Sequence, residues 1–188
     1  MEHFFKEIDG FFTFPEFYAW VVGQMAGKED PHLVEVRVKN GQSAAFLGVE
    51  LANRGIDARV DLVDWFRDSP PADVTGRLAR VPNIQWKAQQ GCSWEVAAHY
   101  PDESLDFVFI DAYHSYECVS RDIDAWRPKV KRGGLLAGHD YIHWQSPEFG
   151  VVRAVNERFK RFEVWPGVTD GGDGPMQGHH FPCWCVRI

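Results

Sequence analysis

Two apolar runs of the chain each end in an acidic residue and are separated by one amphipathic segment. The first run covers residues 105–111 and the second covers residues 134–140. Between them, apolar side chains recur at three- and four-residue spacing after Ser115, a residue that can cap the start of a helix. This pattern predicts a βαβ unit, and a crossover of this length makes the two strands parallel.

The βαβ unit also predicts where the chemistry lies. Ligands of open parallel sheets bind at the carboxyl ends of the strands. Asp111 ends the first run and His114 follows it closely, while His139 and Asp140 end the second run. We therefore expect these four side chains to form one chemical centre at one edge of the sheet.

The rest of the chain predicts an α/β fold with three layers, an αβα sandwich. Further strand-like runs alternate with helical patterns, and two prolines within residues 68–73 predict a break in regular structure. The other predicted strands cover residues 32–38, 59–64, 83–88, 161–165 and 181–188, and the other predicted helices begin near residues 13, 41, 93 and 147.

Length and composition favour one domain. A chain of 188 residues, 45% of them hydrophobic, is long enough for a single α/β core, which we expect to include an N-terminal helical segment at 1–30. A glycine-rich loop at 167–180 is either a mobile lid or a plain connection. The formal charge of −7 argues against nucleic acid as a partner.

The sequence also predicts the compartment. No run approaches the roughly 20 apolar residues that cross a bilayer, and the N-terminus lacks a basic region followed by an apolar run. We therefore expect a cytoplasmic protein with no membrane partner. The four cysteines do not form a spaced framework, so free thiols are expected.

Three motifs in sequence order resemble one enzyme family. They are VEV at 34–36 with GQSA at 41–44, FVFID at 107–111 with HSYE at 114–117, and GHDY at 138–141. The chain resembles class I S-adenosyl-L-methionine-dependent methyltransferases, most closely the small bacterial group related to macrocin-type sugar O-methyltransferases and more distantly catechol O-methyltransferase. The resemblance implies a Rossmann-like, mostly parallel seven-stranded sheet with an antiparallel last strand.

The resemblance further implies the reaction and its cofactor. It implies transfer of a methyl group from S-adenosyl-L-methionine to a hydroxyl of a small-molecule acceptor, a sugar or a diol. The sequence leaves a monomer and a homo-oligomer as alternatives. The glycine turn after the first strand would hold the methionine end, since only glycine lets backbone approach a ligand this closely. The resemblance implies that Glu35, Gly41 and Ser43 have this role, that Asp64 accepts the ribose hydroxyls and that Ser93 lies near the adenine. Asp111 is the sixth implied cofactor-binding position.

The most serious departure from the family pattern is in the turn after the first strand, and a milder one is Tyr113, where relatives commonly have an acid. Relatives usually have glycine where this chain has Arg37, directly after Glu35 and Val36. A large cation there would crowd the cofactor. The alternative hypothesis is therefore a catalytically degenerate, methyltransferase-fold binding module that has lost cofactor binding through Arg37.

Catechol-type relatives also imply a metal and a base. Asp111, His139 and Asp140 match the positions that would hold Mg²⁺, although acids at strand ends also serve as helix caps and loop acceptors. His114 is the first candidate for the catalytic base and His139 is the reserve, because imidazole takes up a proton near neutral pH. The other interpretation of His114 is a residue that caps or orients the following helix.

Two further interpretations rank lower. The His179 and His180 pair with Cys183 and Cys185 offers zinc ligands, but their spacing is poor. On a strand, the two cysteines would share one face as a buried apolar pair. A metal-dependent hydrolase that uses the same acids and histidines is the last hypothesis, since the sequence lacks an obvious nucleophile motif.

Overall fold

A computed structural model describes residues 1–144, 146, 148–167 and 181–188. The strands are β1 (His32–Val36), β2 (Ala58–Asp64), β3 (Ile84–Gln90), β4 (Leu105–Ile110), β5 (Val130–Gly138), β6 (Glu163–Trp165) and β7 (Cys183–Arg187). The helices are α1 (Pro15–Gln24), α2 (Gln42–Asn53), α3 (Pro71–Leu78), α4 (Ser93–Ala97), α5 (Tyr116–Trp126) and α6 (Val151–Arg158). Short 3-10 helices cover Phe5–Glu7 and Arg127–Lys129.

The seven strands form one sheet in the order β3-β2-β1-β4-β5-β7-β6. The pairs from β3 across to β5 are parallel, and β7 runs antiparallel to both of its neighbours, β5 and β6. This order confirms the predicted Rossmann-like sheet, including its antiparallel last strand. Parallel strands joined by right-handed crossovers place the ends of β1, β2, β4 and β5 on one edge.

The sheet separates two hydrophobic cores. One core contains side chains of α1, α2 and α3, and the other contains side chains of α4, α5 and α6. On β7, Cys183 and Cys185 face the first core, whereas Trp184 between them faces the second. Alternate side chains of a strand therefore pack against helices on opposite faces of the sheet, which gives the three layers. Cys183 and Cys185 are free, buried thiols on one face, as the strand pattern predicts.

The βαβ unit at the centre of the prediction is present. α5 connects β4 to β5, and the Ser115 hydroxyl accepts a hydrogen bond from the Cys118 amide at 3.3 Å, which caps the helix. The apolar side of α5, including Val119, Ile123 and Trp126, is buried in the second core.

One expectation about secondary structure was wrong. Residues 68–73 were predicted to be irregular, yet α3 begins at Pro71. Proline is compatible with the first turn of a helix, because its missing N–H would have no partner there in any case. Val74 and Leu78 of this helix are fully buried, so packing against the sheet also favours it.

One predicted helix begins later than expected, and one predicted loop falls mostly on residues that the structure does not describe. The helix expected from residue 147 begins at Val151. Most of the glycine-rich loop, with His179 and His180, falls outside the described residues. In the part of the chain that the structure describes, no helix is both long and apolar enough to span a bilayer.

Candidate functional site

The ends of β4 and β5 bring the four predicted side chains together. Ile110 pairs with Gly138 in the last register position of the two strands, and the His139 amide donates to the Ile110 carbonyl at 3.1 Å. Asp111 thus follows one strand at the level where His139 and Asp140 follow the other. A Cβ on Gly138 would lie 2.5 Å from the Ile110 carbonyl oxygen, so only glycine allows this close pairing.

Asp140 is the centre of the cluster. Its Oδ2 lies 2.8 Å from Nε2 of His114 and 3.3 Å from Nδ1 of His139. Asp111 Oδ1 lies farther from the same two nitrogens, at 3.6 and 3.8 Å. The His114 nitrogen does not meet the geometry of a hydrogen bond, so its contact with Asp140 is an ion pair at short distance.

The segment before α1 completes the cluster from another side. Thr13 Oγ1 and His139 Nε2 share a hydrogen bond at 3.3 Å, and the Phe14 ring lies 4.7 Å from the His139 ring. His139 therefore has one nitrogen facing Thr13 and the other facing the carboxylates. Its side chain is 3% exposed, whereas that of His114 is 33% exposed.

Charge and burial oppose each other in this cluster. Burial lowers the pKa of His114, but Asp111 and Asp140 raise it more strongly, to about 9. Burial likewise lowers the pKa of His139, and Asp140 with Asp111 gives a net upward shift. The pKa of Asp140 is well below its usual range, because the two histidines outweigh its burial. In the absence of a cation, the His114 imidazole therefore carries a proton at neutral pH.

Three of these residues can supply ligands to one cation. Asp111, His139 and Asp140 each offer a ligand atom, and these atoms lie within 4.8 Å of one another. Two carboxylates with one imidazole fit a divalent ion. Carboxylates suit Mg²⁺ and Mn²⁺, and the imidazole also suits a transition metal.

The turn between β1 and α2 has the conformation that the glycine predicts. Gly41 is left-handed, with φ of 89°, and directly precedes α2. Ser43, in the first turn of that helix, donates its hydroxyl hydrogen bond to Oε1 of Glu35. Glu35 itself is buried at the end of β1, and its other oxygen has no hydrogen-bond partner among the described residues.

Asp64, which the resemblance implies as the acceptor for the ribose hydroxyls, is hydrogen-bonded to the protein's own backbone. Asp64 Oδ2 accepts from the amides of Val38 and Lys39 at 2.7 and 2.9 Å, and its Oδ1 accepts from the Phe66 amide at 2.8 Å. The carboxylate therefore fixes the β1 turn. It also lines the second cavity described below.

The described residues form two cavities at this edge of the sheet. The first, of about 430 Å³, contains the Asp111, His114, His139 and Asp140 cluster together with Ser43. The second, of about 580 Å³, is lined by Asp64, Trp65, Ser93, Trp94 and Tyr113, among other residues. Two indoles and a phenol beside polar groups are suited to a flat nucleobase and its ribose.

Arg37 lines both cavities and lies where they meet. Its backbone is left-handed, with φ of 67°, and its Nη1 donates to the Ala112 carbonyl at 3.2 Å. The side chain thus crosses from the turn after β1 to the end of β4. A ligand that occupied both cavities would have to pass this guanidinium.

The structure brings together some predicted cofactor residues and separates others. Asp111 and Ser43 line the first cavity, and Asp64 and Ser93 line the second. Ser93 also accepts a hydrogen bond from Trp126 Nε1 at 2.8 Å. Glu35 supports the turn from beneath and lines neither cavity.

Two contributors to the site have no signal in the sequence. One is Thr13, whose hydroxyl reaches His139 across the fold, and the other is Ala112, whose carbonyl holds Arg37. Neither has a signal in its own sequence context, because each acts through a contact that only tertiary packing creates. Ala112 does lie between two of the motifs, FVFID at 107–111 and HSYE at 114–117, which mark this part of the chain as functional.

Comparison with known families gives a direct match. A family described as a methyltransferase domain matches residues 34–141, which is more than half of the chain. The match covers both cavities' central residues, from the β1 turn to the end of β5. A search of curated protein sequences found no match.

Solved structures share the fold at low sequence identity. The O-methyltransferase NovP has a TM-score of 0.67 at 16% identity, over 90% of this chain and 78% of that one. A protein assigned as an rRNA methylase from Clostridium thermocellum has a TM-score of 0.64 at 17% identity, over 95% and 98% of the two chains. A Streptococcus mutans protein assigned as a methyltransferase, solved in complex with SAH, has 0.62 at 13% identity, over 95% and 100%. Together with the family match, the strand order and the site at its edge make this chain a member of the class I S-adenosylmethionine-dependent methyltransferases.

Proposed function

We propose that this methyltransferase methylates a hydroxyl group of a small molecule, a sugar or a diol. The observation that carries the proposal is the cluster of two carboxylates and two histidines at the ends of β4 and β5. It lies in the first cavity, next to the second cavity that suits an adenosine group. A hydroxyl that enters the first cavity meets groups able to remove its proton.

His114 is the better placed of the two candidate bases. It is a third exposed and lies in the loop before α5, so an acceptor can reach it. His139 is buried, and both of its nitrogens already face protein groups. Without a bound cation, His114 must first lose the proton that Asp111 and Asp140 hold on it, so turnover in metal-free solution should rise as the pH increases above neutrality.

A divalent cation, Mg²⁺ in the first instance, would be held by Asp111, His139 and Asp140. When bound, it would offset the charge of the two carboxylates and stabilise an alkoxide of the acceptor. The fold itself aligns donor and acceptor, which supplies most of the rate through proximity. Thr13 would keep the His139 ring oriented by its hydrogen bond to the second nitrogen.

Titration calorimetry with S-adenosylmethionine tests cofactor binding first. Saturable heat is expected, and no heat at millimolar ligand would contradict methyl transfer by this chain. Formation of S-adenosylhomocysteine with catechol and with simple sugars as acceptors then tests hydroxyl methylation. A panel in which only amine or carbon acceptors react would contradict the hydroxyl assignment.

Asp140→Asn tests the metal separately. It should abolish turnover that depends on Mg²⁺ or Mn²⁺ while leaving S-adenosylhomocysteine binding intact, because Asp140 does not line the second cavity. Asp124→Asn, an exposed acid of α5 paired with Arg158, is the matched control. Full activity of the unaltered protein in a chelator would refute the metal and leave the methyl transfer standing.

A second candidate function is a binding module that no longer holds the cofactor. The position of Arg37 across the junction of the two cavities favours it. The same calorimetry separates the two, since the module would give no heat with the cofactor and the enzyme would. Arg37→Gly provides the comparison, because a module disabled by this side chain should regain binding when it is removed.

A further inference from the structure

Most N–H donors of the Arg37 guanidinium have no partner among the described residues. Within the described residues its hydrogen bonding is limited to one bond from Nη1 to the Ala112 carbonyl, and it forms no ion pair. The nearby carboxylates of Asp111 and Asp140 contact the two histidines instead. The guanidinium therefore has free N–H donors beside the cluster.

The backbone of Arg37 has a left-handed conformation that is unfavourable for an arginine. A φ of 67° is uncommon for residues other than glycine, asparagine and aspartate, and a long side chain there carries a conformational cost. Glycine would occupy the position freely. The cost is explained if the guanidinium has a use in the cavity.

A second cation lies on the same wall. Lys39 lines the first cavity and is exposed, and its backbone amide donates a hydrogen bond to Asp64 Oδ2. It too forms no ion pair within the part of the chain that is described. The lining of the first cavity thus includes two cations as well as the carboxylate and histidine cluster.

We propose that Arg37, assisted by Lys39, binds an anionic group of the acceptor, either a carboxylate or a phosphate. The inference rests on the proposed function, since it describes the molecule that would be methylated. A planar guanidinium matches both groups through paired hydrogen bonds. The acceptor is then a hydroxy acid or a phosphorylated hydroxy compound, with its anion at Arg37 and its hydroxyl toward His114.

The anion is assigned to the acceptor rather than to the methionine end of the cofactor. The Ala112 carbonyl draws the guanidinium toward the end of β4, one residue from Asp111 and two from His114. The start of α2, with Ser43 and its free backbone amides, lies at the other end of the turn and can receive the cofactor's carboxylate.

Nuclear magnetic resonance of the arginine side chains tests the site directly. The Nε–H signal of Arg37, assigned by its loss in Arg37→Lys, is followed during titration with inorganic phosphate and separately with acetate. Sodium chloride at equal ionic strength is the reference. We expect a saturable shift with at least one of the two anions, retained when S-adenosylhomocysteine is saturating, and the more effective anion identifies phosphate or carboxylate.

Two variants sharpen the result. Arg37→Gln lacks the side-chain signal and is followed through the backbone amide of Lys39, which lines the same cavity. There the anion's binding should be at least about tenfold weaker, because the charge-assisted bonds are lost. Arg54→Gln removes the same charge from the outer end of α2 and should leave it unchanged. Circular dichroism and thermal unfolding of both variants show whether they are folded.

Several outcomes would overturn the proposal. A response to phosphate and acetate no larger than that to chloride would show that Arg37 is not an anion site. A response that disappears when S-adenosylhomocysteine binds would assign Arg37 to the cofactor's own carboxylate. Failure of S-adenosylhomocysteine to bind at all, with the anion response intact, would count against the proposed enzyme and not against the anion site.

Discussion

At the scale of the residue, Arg37 lies at the junction of the two cavities and lines both of them. Replacing it by glycine removes the guanidinium from their junction and releases the left-handed strain, at the loss of one hydrogen bond to Ala112. Strain relief and the lost bond are each about 1 kcal/mol, so stability should change little. S-adenosylhomocysteine should bind at least about tenfold more tightly to Arg37→Gly, as measured by calorimetry.

Arg37→Ala is the matched control for this prediction. It opens the same space but keeps a Cβ in the left-handed conformation, so it should bind the cofactor product as Arg37→Gly does while being less stable by about 1 kcal/mol. If the unaltered protein and both variants bind S-adenosylhomocysteine equally tightly, the Arg37 guanidinium does not obstruct the cofactor site.

Glu35 predicts a pH dependence of folding. Burial raises the pKa of Glu35 to about 8, although the hydrogen bond from Ser43 opposes the shift. The folded protein therefore keeps this proton up to about pH 8, while the unfolded chain loses it near 4.5. The unfolded state binds fewer protons in this window, so the free energy of unfolding falls as the pH rises through it, by up to about 1.4 kcal/mol per pH unit.

Glu35→Gln removes this titration and should show a shallower decline between about pH 5 and pH 8 in urea unfolding. Glu163→Gln, on the exposed face of the edge strand, should keep the slope of the unaltered protein. Parallel slopes for all three proteins would mean that Glu35 titrates normally in the folded state.

At the scale of the element, the end of β5 requires glycine. A Cβ on Gly138 would meet the Ile110 carbonyl oxygen at 2.5 Å and the Trp184 ring at 2.7 Å. Gly138→Ala should therefore cost about 1–3 kcal/mol of stability and displace His139. Gly76→Ala on α3, where a Cβ meets nothing within 4 Å, should instead stabilise by about 0.5–1 kcal/mol. Thermal unfolding measures both effects. Equal changes in stability for Gly138→Ala and Gly76→Ala would show that neighbouring residues of β5 move to accommodate the added Cβ.

The elements were predictable where hydrophobic period and length agreed. β4 is buried at every position, and α5 has one apolar face with a capping serine, so each had a clear signal. α3 lacked one, because its eight residues include two glycine or proline positions and only two fully buried apolar side chains. Its formation depends on packing against the sheet, which local sequence does not report.

At the scale of the whole molecule, the predicted site was the part fixed by topology. Parallel strands must end on one edge, so Asp111 and Asp140 could be placed together from the sequence. The contact of Thr13 with His139 and that of Ala112 with Arg37 could not be predicted, because they depend on where the N-terminal segment and the β1 turn pack. The engagement of Asp64 by three amides was hidden for the same reason.

The three-layer architecture predicts that damage on one side of the sheet is independent of damage on the other. Val49 of α2 is fully buried in the first core, and Ile123 of α5 is fully buried in the second. Val49→Ala and Ile123→Val should each destabilise, by about 1–3 and 0.5–1.5 kcal/mol, because each removes packed methyl groups. Since the sheet separates the sites, the double variant should equal the sum within about 0.5 kcal/mol in urea unfolding. Leu47→Val with Val49→Ala, both in the first core, is the comparison, and a larger coupling across the sheet than within this core would contradict two separate cores.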